Sequence, residues 1–323
     1  MSISRREFLE TTALGSLAAG SVAAADLEKS ALPTRVLGKT GVKVSILAMG
    51  GGSRFLMYKD DEQAVAAVHK ALDLGITYID TADDYSNHLS EKRIGIGLKG
   101  RRNNIFLATK LSSRNGAESF RIVEESLKAL QTDHVDLLHI HSLQTPDDLA
   151  AIEAKGGVLE QLMKMRDQKM TRFIGITSHF DPSVLKTALE RHDFDCTQMA
   201  LNGALVGMEA SRMVPNKALK TSFETLALPV ANRKKMGVIG MKVFAQEALV
   251  GAAAPEKLLS YTLSLPVTAA VVGMPKLEHI EDNVRVAKAF KPLSKEEMER
   301  MSGGLSRQYK ASLDQFFCNH VDA

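Results

Sequence analysis

Apolar and polar positions repeat along this chain as a short run followed by a longer one. The short runs are apolar and β-branched and fall at 44–50, 77–81, 105–110, 135–141, 173–178, 196–201, 237–243 and 268–273. Each reads as a strand. Between most of them lie stretches with helical spacing: Val65, Val68 and Leu72 share one face of 62–74, and Val123, Leu127 and Leu130 share one face of 119–130. Strands separated by helices run parallel, because each helix returns the chain to the end where the next strand begins. Eight such strands close a barrel, so the expected fold is α/β, a (β/α)8 TIM barrel. Gly38-Lys39-Thr40-Gly41, set between β-type runs in 34–44, predicts an N-terminal β-hairpin. The tail beyond Phe290 predicts a C-terminal helical extension, opened by Ser294 with Glu297 three residues later as a capping box. The segment 203–235, punctuated by Pro215, Asn216 and Pro229, predicts a long loop over the barrel mouth. No linker divides 26–323, which is expected to be one domain.

Composition changes little in that picture. The 323 residues are 45% hydrophobic and 24% charged, ample for a large core, and a net charge of +3 gives no ground for a nucleic-acid partner. The cluster Arg233-Lys234-Lys235 reads as a solvated helix end. Cys196 lies in an apolar strand and is expected as a buried thiol; with Cys318 it allows at most one disulfide.

The amino terminus carries more. Ser4-Arg5-Arg6-Glu7-Phe8-Leu9 precedes a mildly apolar run from Thr11 to Ala25, which ends in small residues suited to cleavage near Ala25. That run is too short and too rich in Ala, Gly and Ser to span a bilayer, and no other segment is suited to stable membrane insertion. Paired arginines before Phe-Leu resemble a bacterial twin-arginine signal peptide over residues 1–25. The resemblance implies the twin-arginine export machinery as a partner and a periplasmic or otherwise exported location.

One motif is a decoy. Gly95-Ile96-Gly97-Leu98-Lys99-Gly100 fits the dinucleotide fingerprint G-x-G-x-x-G, but that fingerprint works only between a strand and the helix it opens. Here the glycines follow a predicted helix and precede a strand, so they read as a helix-terminal turn.

Four polar residues stand at or just beyond consecutive strand ends: Asp80, Tyr85, Lys110 and His141. In a barrel these ends converge on one mouth, so residues far apart in sequence become neighbours. His139, two positions before His141, points to the same side and reads as a polar core residue one layer deeper. His88, His139, His141 and His179 come without a metal-ligand spacing or a cysteine pair, so no metal site is expected.

The stretch Gly75-Ile76-Thr77-Tyr78-Ile79-Asp80-Thr81-Ala82-Asp83-Asp84-Tyr85, then Thr109-Lys110, then Asp136-Leu137-Leu138-His139-Ile140-His141 resembles the aldo-keto reductase family. The resemblance covers nearly all of the chain beyond the leader. It implies an oxidoreductase transferring a hydride from NAD(P)H to an aldehyde or ketone, a small-molecule carbonyl substrate. Chemistry agrees with it. A phenol of ordinary pKa, about 10, is a poor acid near neutrality, and an adjacent ammonium favours its ionised form. Tyr85 would be the general acid, Lys110 its tuner, Asp80 the anchor of Lys110, and His141 a hydrogen-bond partner that orients the carbonyl.

The family also implies cofactor contacts across the mouth. Ser178 matches a carboxamide-binding serine, with His179 in place of the usual Asn. Gln198 matches the strand-six motif, where Leu201 replaces a stacking Tyr. Lys242 would meet the pyrophosphate. Gly273, Lys276, His279 and Asn283 fall in the adenosine-phosphate segment, where Lys276 favours NADPH and His279 leaves NADH possible. The Trp that often follows the catalytic His is replaced by Ser142-Leu143-Gln144, which points to small or polar carbonyls. The substitutions at His179 and Leu201, with the leader, also fit a second class of protein, a dinucleotide-binding sensor or regulatory subunit on the same fold.

Overall fold

In the computed structural model, which describes residues 31–207 and 221–318, eight parallel strands close a barrel with helices around it. The strands are β3 (Leu47–Gly50), β4 (Tyr78–Asp80), β5 (Phe106–Leu111), β6 (Val135–Ile140), β7 (Thr171–Ser178), β8 (Cys196–Ala200), β9 (Gly237–Met241) and β10 (Ala269–Val272). Each pairs with its neighbour in chain order, and β10 closes on β3 through Ala270↔Leu47 to Val272↔Met49. The leader expected at 1–25 lies outside the described residues, as do Pro215 and Asn216.

The hairpin is present as β1 (Thr34–Val36) and β2 (Lys43–Ser45), paired antiparallel. The single strand expected at 44–50 is in fact two: residues 43–45 belong to the hairpin and 47–50 to the barrel. Between them Ile46 donates to the carbonyl of Pro33 at 2.9 Å. Every residue from Val44 to Gly50 is buried. A run buried on all sides shows no alternation, so the change of partner left no periodicity to read.

The hairpin plugs the lower end of the barrel. Leu37 and Val44 pack with Tyr78, Phe106, Cys196 and Ala269, residues that begin β4, β5, β8 and β10. Gly38, at φ +49, lies so close to the foot of β9 that a Cβ would sit 2.3 Å from the nitrogen of Gly237. Only glycine fits there. Cys196 is a fully buried free thiol, and burial pushes its pKa well up, so it is inert packing. With the lower end filled, chemistry is left to the C-terminal mouth.

The long loop expected over 203–235 is corrected in part. Residues 223–233 form a helix, Phe223–Arg233, opened by a Ser222–Thr225 capping box, and Pro229 lies inside it. A proline costs a helix one hydrogen bond and some crowding rather than its existence. Packing of Phe223, Ala227, Leu228, Val230 and Ala231 into the core outweighs that. At its end Lys234 donates to the carbonyls of Leu189 and His192 (2.8 and 2.5 Å), so the basic cluster is partly structural.

The glycine decoy resolves into two uses. Gly95 and Gly97 lie inside the helix Leu89–Gly97, where a Cβ would meet the Ala129 carbonyl oxygen at 2.5 Å and the Val68 side chain at 2.8 Å. Gly100, at φ +76, makes the turn. The C-terminal extension is the helix Lys295–Cys318, and Ser294 and Glu297 exchange the expected capping bonds at 3.2 and 2.8 Å.

Candidate active site

The four strand-end residues come together. Asp80 ends β4, Lys110 sits near the end of β5, and His141 follows β6 directly. Lys110 and Asp80 are buried to within 1–2%. The ammonium donates to Asp80 Oδ1 and to the Thr81 carbonyl, both at 2.6 Å, and its third contact is the Tyr85 hydroxyl at 3.4 Å. The three donors of one Nζ are thus aimed at a carboxylate, a carbonyl and a phenol.

Tyr85 reaches this point because the loop after β4 continues along β5: Thr81 N–H donates to Ala108 and Asp83 N–H to Lys110. Ser86, Asn87 and His88 then all take left-handed φ values of 54°, 51° and 64°, turning the chain sharply into the helix Leu89–Gly97. Such residues store strain and persist only where their surroundings hold them. The holder is Glu91, fully buried, which accepts from Thr109 Oγ1 and His88 Nδ1, both at 2.5 Å. That bond, ahead of the partial burial opposing it, raises the His88 pKa.

His141 is 3% exposed, its Nδ1 lies 3.1 Å from Asp84 Oδ2, and its ring meets that of Tyr85 edge-on at 5.6 Å. Asp83 accepts from both the amide and hydroxyl of Ser112, and burial, then the neighbouring Asp84, raise its pKa. Asp83, Asp84 and His141 hold ligand-type atoms within 4.8 Å of one another. Ser112 and the His141–Asp84 bond already engage these groups, so the cluster reads as a hydrogen-bond network.

His139, the deeper histidine, is completely buried, and neither ring nitrogen has a hydrogen-bond partner among the described residues. Desolvation, and after it the Lys110 and His141 charges, hold its pKa well below the ordinary value. Below pH about 6.5 the unfolded chain therefore binds a proton there that the folded chain refuses. Stability is present above that pH and falls on acidification, with a slope of up to about 1.4 kcal/mol per pH unit. Urea unfolding of wild type and His139→Met across that range is expected to show stability falling more steeply toward acid in wild type. Equal slopes would refute it.

The open mouth forms a cleft lined by Gly50, Gly52, Asp80, Tyr85, His141, Gln198, Lys242 and Gly273, among others. Of the expected cofactor residues, Gln198, Lys242 and Gly273 are therefore in it. Gln198 Oε1 and Asp80 Oδ2 are buried polar atoms without a partner among the described residues. Buried acceptors of this kind call for a donor, and a carboxamide N–H group would supply one. Gly273 abuts Arg54, where a Cβ would lie 2.8 Å from the arginine side chain.

The other expected cofactor residues are outside the lining of this cleft. Ser178 is buried, and its hydroxyl donates to the Leu143 carbonyl at 2.7 Å. His179 packs on Phe180 and contacts Ser142 Oγ at 3.3 Å. Lys276, His279 and Asn283 run from the start into the helix Leu277–Lys288 after β10, outside the cleft lining. Leu201 is a core residue, and Met241, Val243 and Phe244 supply the cleft's apolar wall.

Two site residues escaped the sequence reading. Arg54 crosses the cleft from the loop after β3, donating to the Gln246 carbonyl at 2.8 Å and pairing with Glu247 at 3.3 Å. Asp84 binds His141 across 57 positions of sequence. Its only signal was a second acid beside Asp83, next to the tyrosine.

The family model for the aldo/keto reductase family matches residues 47–258. The chain is 29% identical over 291 residues to L-galactose dehydrogenase of Arabidopsis thaliana, covering 77% of this chain and 86% of that one. In fold it is similar to an aldo-keto reductase from Bacillus halodurans in its holo form, with a TM-score of 0.68 at 24% identity over 84% of this chain and 96% of that one. A Klebsiella pneumoniae aldo-keto reductase in complex with NADPH gives 0.63 at 21% identity, covering 90% and 96%.

Proposed function

We propose, because the chain belongs to the aldo/keto reductase family, that it is an NADPH-dependent reductase of small polar aldehydes or ketones with Tyr85 as proton donor. The observation that carries this is a buried ammonium shared between Asp80 and the Tyr85 hydroxyl, on a cleft that His141 also lines. Gln198, with its unpartnered acceptor, would hold the nicotinamide carboxamide and Lys242 a phosphate, while the bare backbone of Gly273 makes room for Arg54 on the cleft wall. When bound, the cofactor supplies the hydride.

The protein's share is the proton. As negative charge grows on the substrate oxygen, Tyr85 gives up its hydroxyl proton, and the Lys110 ammonium 3.4 Å away stabilises the phenolate left behind. Asp80 holds that ammonium in place, and the apolar wall of Met241, Val243 and Phe244 limits water. A cleft rimmed by Ser53, Arg54, Gln246 and Glu247 suits a hydroxylated carbonyl better than an apolar one. NADPH fluorescence should be quenched on binding, and NADPH should be consumed with at least one member of a panel of hydroxy-aldehydes and ketones. Binding with no turnover across the panel would favour the sensor reading.

Arg54 ties the loops after β3 and β9 across the cleft through one charge-assisted hydrogen bond and an ion pair. Arg54→Ala is expected to weaken NADPH binding by about tenfold, mainly by faster release. Stopped-flow measurement of the off-rate checks this.

For the leader, the reading is export of the folded barrel through the twin-arginine machinery to the periplasm. Support comes from the sequence alone. In a bacterial host, Arg5→Lys with Arg6→Lys is expected to leave the uncleaved protein in the cytoplasm. Normal cleavage near Ala25 in that variant would refute it.

A further inference from the structure

We propose that Asp84 is a positioning residue that fixes the ring proton of His141 on Nδ1, so that the ring serves bound alcohol when neutral and bound carbonyl only as imidazolium. This rests on the reductase reading for its kinetics, though not for its structural core.

The backbone of His141 is held on both sides, and its ring is buried. His141 is 3% exposed, its backbone N–H donates to the Leu111 carbonyl at 3.0 Å, and its own carbonyl accepts from Arg114 at 2.7 Å. Arg114 is held in turn by both oxygens of Asp148 at 2.7 and 3.0 Å. Tyr85 closes the remaining side edge-on. In this buried setting the tautomer decides what the ring offers the cleft.

Asp84 decides the tautomer. An ionised carboxylate only accepts, so the proton between Asp84 Oδ2 and His141 Nδ1 belongs to the ring. Nε2 then faces the cleft as an acceptor in the neutral ring and as a donor in the imidazolium. The other charged or titratable groups around it, among the described residues, include Asp80 on β4, Asp83 and Tyr85 from the loop after β4, Lys110 on β5, Arg114 beyond β5 with its partner Asp148, His139 on its own strand, and His179 after β7.

The consequence follows from the substrate's two forms. In reduction a bound dihydronicotinamide would supply hydride to the carbonyl carbon; the C=O π pair would move to oxygen, and that oxygen would take the Tyr85 proton. The products are alcohol, oxidised nicotinamide and phenolate, which regains a proton from solvent. A carbonyl oxygen only accepts, so neutral His141 gives it nothing. An alcohol carries its own O–H, which can donate to neutral Nε2. Asp84 thereby ties reduction to the protonated ring and alcohol binding to the neutral one.

The test has two readouts. The first needs no cofactor: ¹⁵N-edited NMR of the His141 ring at alkaline pH should show Nδ1–H in wild type, and proton on Nε2 in Asp84→Ala. A wild-type ring carrying Nε2–H overturns the proposal. The second is the pH profile of kcat/KM for carbonyl reduction. Wild type should lose about tenfold to a hundredfold more than Asp84→Ala between acid and alkaline pH, the worth of one charge-assisted hydrogen bond. Parallel profiles overturn it. Should Asp84→Ala not fold, Asp84→Asn serves, since an amide can accept from or donate to Nδ1. Its pH profile must follow the tautomer that NMR finds, steep with Nδ1–H and flat with Nε2–H, and a mismatch overturns the proposal. If wild type binds NADPH but reduces nothing while its ring carries Nδ1–H, the reductase reading fails and the Asp84 assignment stands.

Discussion

Tyr85→Phe is expected to lower kcat for carbonyl reduction by about 10²–10⁴-fold, the usual worth of a positioned general acid, while NADPH still binds. The substitution removes one hydroxyl from a half-buried ring whose edge-on contact with His141 and 4.8 Å approach to the Lys110 ammonium depend on the ring alone. Fold and cleft should therefore persist. The loss belongs to the transition state, because the proton is needed only as charge develops on the substrate oxygen. Steady-state kinetics with NADPH fluorescence on the same samples checks both halves. A fall in NADPH affinity that accounted for the whole loss would point to a damaged cleft rather than a missing acid.

Lys110→Met is expected to cost both activity and stability. Lys110 is 1% and Asp80 2% exposed, and the pair is 2.6 Å apart. Removing the ammonium leaves a carboxylate inside the barrel with, among the described residues, only Gln198 Nε2, at 3.4 Å, to answer Oδ1, and no partner for Oδ2. Breaking a buried pair from one side costs about 3–5 kcal/mol. The double variant Lys110→Met with Asp80→Asn removes both charges, so it should regain most of that stability yet stay inactive. Denaturant unfolding of the two single variants and the double one checks the coupling. A double variant no more stable than Lys110→Met would mean that the pair is not coupled as its geometry implies.

Much of this was legible because the chemistry sits where strand periodicity ends. Asp80, Lys110 and His141 close three consecutive apolar runs, and a parallel barrel brings such ends together whatever their distance in sequence. Other features were hidden for physical reasons. The joint at Ile46 lies in a run buried on every side, so no alternation marked where hairpin gives way to barrel. The helix Phe223–Arg233 contains Pro229, and a proline read as punctuation concealed it. Asp84 and Arg54 act through contacts with His141 and with Gln246 and Glu247, pairings that no local pattern encodes. Ser178, expected as a cofactor contact, also donates its hydroxyl to the Leu143 carbonyl, 35 positions away, a partner that no local pattern marks.

Reduction by the wild-type protein with NADPH deuterated at the nicotinamide C4 tests the central claim most directly. The account predicts deuterium on the former carbonyl carbon of the alcohol, at a rate that collapses in Tyr85→Phe. A protein that binds NADPH yet places deuterium on no carbonyl carbon, or does so equally fast without the Tyr85 hydroxyl, would contradict it.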